Sequence, residues 1–268
     1  MLSKTGLINA KSLATPMEER PIAPENDSHL YGEEITEFQE ICGGLIWLLR
    51  TRYDIAYAVG IICSQMAKPT NFSVKQARKI LRYLAGTPRR GLTYHPLNTD
   101  EDLDTYAYCD ESLVGSNPHI GVAVFLGKCD RKTHINKSAA IIVHSKRRKI
   151  VTVSTMHAAL DAIELALRSC RFVTDFRNEM GYIQDKPSII FTDNQPAIHF
   201  LTGDGSTAKD LSRHLRRRYD HIREAINQNH ILLDFVPTNL NCADALTKPL
   251  GRILFERHNL NLMGCISR

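Results

Sequence analysis

The stretch LDTYAYCD (103–110) is rich in aromatic and β-branched residues, and two further runs of the same kind follow it, Gly121–Gly127 and Ala139–Ser145. Turn-like segments separate the three, which is the pattern of three consecutive antiparallel strands. Downstream the period changes. A long helical stretch occupies about Met156–Met180, PSIIFTD (187–193) reads as a buried strand, NQPAIHFL (194–201) as a short helix and Leu211–Gln228 as another helix. HILLDFVP (230–237) is a further strand, with a last helix from Ala243. The order βββ-α-β-α-β-α mixes hairpins with right-handed crossovers. It predicts an α/β domain over 97–268 with a five-stranded mixed sheet and flanking helices.

Upstream of this domain the chain is helical. From Ile35 to Met66 apolar residues recur at helical spacing (Phe38, Ile41, Cys42, Leu45, Leu48, Leu49), pause at Thr51-Arg52-Tyr53 and resume after Asp54, read as an N-cap. Pro69 stops the second helix; Ser73 caps a third through Ala85, which ends at Gly86 with Pro88 beyond. Residues 35–96 thus form a small helical unit. Trp47, Tyr53, Tyr57 and Tyr83 sit at helical spacings among Leu and Ile and are assigned to its core. Residues 1–34, rich in Pro, Ser, Asn and charge, are expected to be an extended arm.

The chain has 268 residues, 43% hydrophobic and 24% charged, which is ordinary for globular proteins and excludes a disordered or collagen-like chain. The formal net charge of +5 is too small to define a partner, so the distribution of charge matters more. Seven scattered cysteines without a CxxC pair argue against a disulfide framework or a zinc site and fit a reducing compartment, cytoplasmic or nuclear. The start MLSKTGLINAKSLATPMEERP lacks the apolar run of a signal peptide, and no stretch approaches a membrane span. His144, His157, His199 and His214 have no Cys or Asp at metal-ligand spacing and are assigned no metal. Cys109 and Cys242, each within two residues of an acid singled out below, are read as packing residues.

Three acids stand where chemistry has use for them: Asp110 in TYAYCDES (105–112), Asp193 in SIIFTDNQPAI (188–198) and Asp244 in NLNCADALTK (239–248). Asp110 lies toward the end of the first strand, Asp193 ends the fourth, and Asp244 opens the last helix beside the fifth. The carboxyl ends of adjacent parallel strands share one crevice, so acids far apart in sequence converge there. Carboxylates brought together raise one another's pKa and call for cations. Oxygen-only ligands favour Mg²⁺ or Mn²⁺, a pair of which supports phosphodiester hydrolysis. Taken singly, each Asp is also an ordinary turn former or helix-start charge.

Beyond these acids, an ordered series of motifs resembles the C-terminal part of Pol from copia-type retrotransposons (pseudoviruses). The segment GGLIWLLRTRYD…GLTY (43–94) looks like the end of the reverse transcriptase and its connection to ribonuclease H. TYAYCDESLVGS (105–116), HIGVAVFLG (119–127), VTVSTMHAALDAI (151–163), IIFTDNQPAI (189–198), RHLRRRYDHIREAI (213–226) and VPTNLNCADALTKPL (236–250) are similar, in order, to the family's ribonuclease H domain. The resemblance implies a ribonuclease H-like fold and two-metal hydrolysis of the RNA in RNA/DNA hybrids. It makes Asp110, Asp193 and Asp244 catalytic, metal-holding residues. It also implies the context of a longer Pol polyprotein. No YxDD motif occurs, so no polymerase activity is expected.

One position departs from the pattern. The family reads approximately SSTEAEYxAL where this chain reads STMHAALDAI, which puts Ala159 at the catalytic Glu. Asp161 and Glu164 lie about 160° and 140° around the helix from position 159, so neither replaces it. Ser112, Leu113, Ser116 and Arg216 replace further acids and a Trp of the family pattern. The expectation is impaired hydrolysis. The alternative is a catalytically inactive nucleic-acid-binding remnant or domesticated module of the same fold.

Positive charge concentrates in SKRRK (145–149), in Lys75, Arg78, Lys79, Arg82 and Arg89-Arg90, and in RHLRRRYDHIRE (213–224). Such runs are commonly solvated faces. Lys146, Arg147, Arg148, Arg213, Arg216, Arg217 and Arg218 are nevertheless candidates for contacting nucleic-acid phosphates, a hybrid being read by backbone and 2′-hydroxyl shape.

Overall fold

The computed structural model of the chain describes residues 5–7, 10–96, 103–114, 117–148, 155–203 and 212–264. Ser116, Lys149, the segment 151–154, Leu211 and the proposed boundary at 97 lie outside the described residues. Five strands, β1 (Asp104–Val114), β2 (Asn117–Gly127), β3 (Ile142–Arg147), β4 (Ser188–Thr192) and β5 (Ile231–Phe235), form one sheet in the order β3-β2-β1-β4-β5. The pairs β1/β2 and β2/β3 are antiparallel, whereas β1/β4 and β4/β5 are parallel. The expected mixed α/β sheet is present, and the carboxyl ends of β1, β4 and β5 share one edge.

The pleat of β1 explains how the sheet serves two cores. Tyr106 and Tyr108 face one cluster, with Phe125 and Phe191; Ala107 and Cys109 face the other, with Val122, Val124 and Ile190. Over the second face lie α4 (Thr155–Glu179), α5 (Gln195–Thr202) and α6 (Arg213–Asn227), whose apolar residues Leu160, Ile163, Leu167, Leu201 and Ile222 complete that cluster. Over the first face lie α7 (Arg252–Met263) and the N-terminal helices α1 (Glu33–Leu48), α2 (Ala56–Cys63) and α3 (Asn71–Gly86). Phe38, Leu45, Ile62 and Ile80 belong to the same buried cluster as Tyr106 and Phe125, so the helical unit and the sheet share one core. Met17 and Leu30 join it too, which ties down parts of the N-terminal arm.

Local details correct several sequence expectations. Asp54 caps no helix. It sits in a 3-10 turn (Tyr53–Ile55), where its buried carboxylate takes Arg52 Nε at 2.9 Å and Nη2 at 2.8 Å, and the Tyr83 hydroxyl at 2.6 Å. Thr70, not Ser73, is the N-cap of α3; its hydroxyl accepts from Ser73 N–H while Ser73 Oγ accepts from Thr70 N–H, a reciprocal capping box. Trp47 is 66% exposed rather than in the core, whereas Tyr57 and Tyr83 are buried. The helix expected from Ala243 is a 3-10 segment (Cys242–Leu246), and α7 starts only at Arg252. Pro249 cannot donate to a helical ladder, so the chain must restart beyond it.

Candidate metal centre at the sheet edge

Asp110, inside β1, shares the pleat face of Tyr108 and points toward the 3-10 segment that carries Asp244. That segment comes close because Gly121, the register partner of Asp110 in β2, has no side chain. A Cβ there would stand 2.7 Å from Thr247 Cγ2, 2.8 Å from the Ala243 carbonyl and 2.9 Å from Leu246 Cβ. Two side chains anchor the segment. The Asn241 amide donates to Cys109 O at 3.0 Å while its oxygen accepts from Ala243 N–H, and Ser145 Oγ on β3 donates to Leu246 O at 2.7 Å. Ser145 Oγ also bonds buried His119, which stacks edge-on against Tyr57 of α2, so the helical unit helps to buttress the site. Burial lowers His119 to a pKa of about 4, with Arg147 contributing, so the ring is neutral.

Asp193 follows β4 directly. Thr238 Oγ1 donates to its Oδ2 at 2.7 Å, and the Asn241 amide approaches Oδ1 at 3.5 Å. Asp110, Asp193 and Asp244 thereby converge: ligand oxygens, one from each, all lie within 4.8 Å of one another. The three acids singled out in the sequence form one cluster. Asp110 and Asp244 are buried, and burial followed by their mutual repulsion holds the Asp110 carboxyl well above the usual range. Asp244 is likewise raised, first by burial, against the pull of Lys248. Lys248 Nζ lies 2.9 Å from Asp244 Oδ1 and 3.8 Å from Asp110 Oδ2, and the Thr247 hydroxyl donates to Asp110 Oδ2. Burial opposes the Lys248 charge, but the two carboxylates outweigh it and hold its pKa up. One ammonium against three carboxylates leaves a deficit of positive charge. An oxygen-only donor set of this kind suits a hard divalent cation.

Sequence reasoning missed Glu111, Asn194, Thr238, Asn241, Thr247 and Lys248. Thr247 and Lys248 carried a signal, standing three and four residues after Asp244 and so returning to it around a helical turn. Glu111, next to Asp110, faces the opposite side of the sheet, toward α4. Its Oε1 accepts from Asn194 Nδ2 at 2.8 Å, and its Oε2 is buried with no hydrogen-bond partner among the described residues. Burial raises the Glu111 carboxyl to about 7; the Asn194 amide opposes this and the Asp193 charge adds to it. Ala159 is fully buried in the apolar cluster beneath α4. Asp161 and Glu164 are turned away into ion pairs: Asp161 with Arg148 at 3.1 Å and Arg218 at 2.7 Å, Glu164 with Arg168 at 2.6 Å and Arg218 at 3.2 Å.

Two of the basic runs meet. Lys146 near the end of β3 and Arg148 just after it line a groove with Arg168, Arg217, Arg218 and His221 from α4 and α6, in which Asp161 and Glu164 pair with Arg148, Arg168 and Arg218. Arg147 points the other way, because its register partner His119 lies on the α2 face. Arg216 lines a separate hollow with Tyr219 and Arg223, and Arg213 is exposed at the start of α6. Cys109 and Cys242 are fully buried and their thiols are pushed up by that burial, consistent with packing. Among the described residues no helix is long and apolar enough to cross a membrane.

No family model matches the chain. Solved structures similar to it include LC11-RNase H1 in complex with RNA/DNA hybrid, with a TM-score of 0.38 and 16% identity, covering 54% of this chain and 94% of that one. Another is the foamy viral protease-reverse transcriptase in complex with RNA/DNA hybrid, with a TM-score of 0.42 and 10% identity over 78% of this chain and 27% of that one. Relatives by sequence include the retrovirus-related Pol polyprotein from transposon RE1 of Arabidopsis thaliana, 30% identical over 264 residues. The Pol polyprotein from transposon TNT 1-94 of Nicotiana tabacum is 26% identical over 267 residues. Both alignments cover 96% of this chain but only 17% and 19% of the polyproteins. Over nearly its whole length the chain thus corresponds to one segment, less than a fifth, of the retrovirus-related Pol polyproteins of transposons.

Proposed function

We propose that the chain is a retrotransposon-derived ribonuclease H-type domain acting on RNA/DNA hybrids, with Asp110, Asp193 and Asp244 as its catalytic carboxylates. The observation that carries this reading is the convergence of three acids from three separate elements, with ligand oxygens within 4.8 Å at the carboxyl edge of the sheet. These residues would hold Mg²⁺ or Mn²⁺, which when bound supplies Lewis-acid polarisation of a phosphodiester and a water of lowered pKa. The chain's own part is to keep the carboxylates in place. Thr247 and Lys248 orient Asp110 and Asp244, Thr238 and Asn241 orient Asp193, and the tight contact at Gly121 fixes the 3-10 segment. In the groove Lys146 and Arg217 would take phosphates of the duplex directly, and Arg148 and Arg218 would do so alongside their pairing with Asp161 and Glu164, with Arg147, Arg213 and Arg216 contributing from other surfaces. Residues 35–96 we read as the tail of a reverse transcriptase and its connection, 1–34 as its arm, and 97–268 as the nuclease-like domain, with other parts of a Pol polyprotein as partners.

Hydrolysis is expected to be weak, because Ala159 offers no ligand where the family resemblance places a Glu. A second reading, an inactive nucleic-acid-binding module, is favoured by the same buried Ala159 and by the Lys248 ammonium already seated on two of the acids. Incubation of a labelled hybrid with Mg²⁺ or Mn²⁺ decides between them. Slow cleavage by the wild type, lost in Asp110→Asn and increased in Ala159→Glu, supports the nuclease. Salt-sensitive hybrid binding that persists in EDTA, with no cleavage by either protein, supports the module.

A further inference from the structure

We infer that Glu111 is a further metal-ligating residue, supplying from β1 the carboxylate that Ala159 cannot supply from α4. The inference rests on the metal-centre reading above. Three observations converge on it. First, position: alternation along β1 sends Glu111 to the face occupied by Ala107 and Cys109, the face on which Ala159 is buried. The register partner of Glu111, Ile120, belongs to that same cluster. Asp110 approaches the site from the other face, so a carboxylate on the α4 side complements it rather than duplicating it.

Second, aim. Asn194, the residue after Asp193, caps α5 by accepting Ala197 N–H at 2.9 Å through its Oδ1, and its Nδ2 donates to Glu111 Oε1 at 2.8 Å. That hydrogen bond directs the Glu111 side chain toward the end of β4, where it lies within electrostatic reach of Asp193 and Lys248. Third, an unused acceptor: among the described residues the buried Glu111 Oε2 has no hydrogen-bond partner. Among the described residues the other acids near Ala159 are committed elsewhere, since Asp161 and Glu164 are held by Arg148, Arg168 and Arg218. A buried carboxylate oxygen with no donor, beside a cluster short of positive charge, is the expected state of a ligand to a cation.

Mn²⁺ titration of the metal-free chain, followed by the electron paramagnetic resonance signal of the free ion, tests this without reference to turnover. Asp110→Asn is expected to abolish binding. Glu111→Gln is expected to weaken it about tenfold, which is about 1.4 kcal/mol. The double variant Glu111→Gln/Ala159→Glu, which moves the carboxylate back to α4, is expected to recover affinity to within about threefold of wild type. Glu111→Asp keeps the charge and shortens the reach, so it should also weaken binding while its thermal midpoint in EDTA stays near that of wild type. Wild-type affinity in Glu111→Gln or in Glu111→Asp, with Asp110→Asn inactive in binding, overturns the role of Glu111 alone. Wild-type affinity in Asp110→Asn overturns the metal-centre reading and this inference with it.

Discussion

Replacing Glu111 by Gln in the metal-free protein removes a charge whose cost can be worked from its surroundings. Burial lifts the Glu111 carboxyl from an ordinary 4.5 to about 7. Between those values the folded chain keeps a proton that the unfolded chain has released. Stability therefore falls as pH rises through this window, and the full cost is present above pH 7. At about 1.4 kcal/mol per pH unit the displacement is on the order of 3 kcal/mol, an upper bound that screening at a partly exposed side chain reduces to roughly 1–3 kcal/mol. Gln keeps the shape and the Asn194 contact but carries no proton equilibrium. In EDTA, the stability of Glu111→Gln minus that of wild type should be near zero at pH 4 and should grow to roughly 1–3 kcal/mol in favour of the variant by pH 8. Urea unfolding at a series of pH values measures this directly, with equal slopes confirming comparable states. A difference that is constant across the series would refute the reasoning, because it would mean that Glu111 titrates alike in the folded and unfolded chains.

Three further perturbations probe the core of the helical unit and the supports of the site. Arg52→Ala leaves the buried Asp54 carboxylate with only the Tyr83 hydroxyl, and should cost about 3–5 kcal/mol in urea unfolding. A loss below about 1 kcal/mol would mean that Asp54 finds water. Gly121→Ala drives a methyl against Thr247, Ala243 and Leu246 and should destabilise by about 1–3 kcal/mol while weakening Mn²⁺ binding, since Thr247 positions Asp110. Lys248→Met removes the ammonium that competes for Asp110 and Asp244, so Mn²⁺ affinity should rise about tenfold while stability in EDTA falls; unchanged affinity would show that Lys248 does not compete.

The sheet was legible because its strands are written in β-branched and aromatic residues, with Ile189–Phe191 fully inside. Strand ends were less so. β1 runs on to Val114 and β2 begins at Asn117, so the hairpin extends through Glu111, Ser112 and His119, polar residues that carry no strand signal. Asp110, Asp193 and Asp244 could be singled out because parallel strands bring their carboxyl ends to one edge. Of the residues that hold them, only Thr247 and Lys248 carry a local signal, through their spacing from Asp244. Ser145–Leu246, Glu111–Asn194 and Asp193–Thr238 are side-chain contacts between segments 45 to 101 residues apart, and no local pattern encodes such a meeting. Trp47 shows the opposite failure: helical spacing placed it on an apolar stripe, yet α1 packs through Phe38, Cys42 and Leu45 and leaves it in solvent.

The central claim is that the three carboxylates form a cation site, and an anomalous difference map from Mn²⁺-soaked crystals tests it most directly. The account predicts a peak at about 2.0–2.4 Å from oxygens of Asp110, Asp193 and Asp244, with Lys248 Nζ displaced from Asp244. No peak at saturating Mn²⁺, with Lys248 still seated between Asp110 and Asp244, would contradict it.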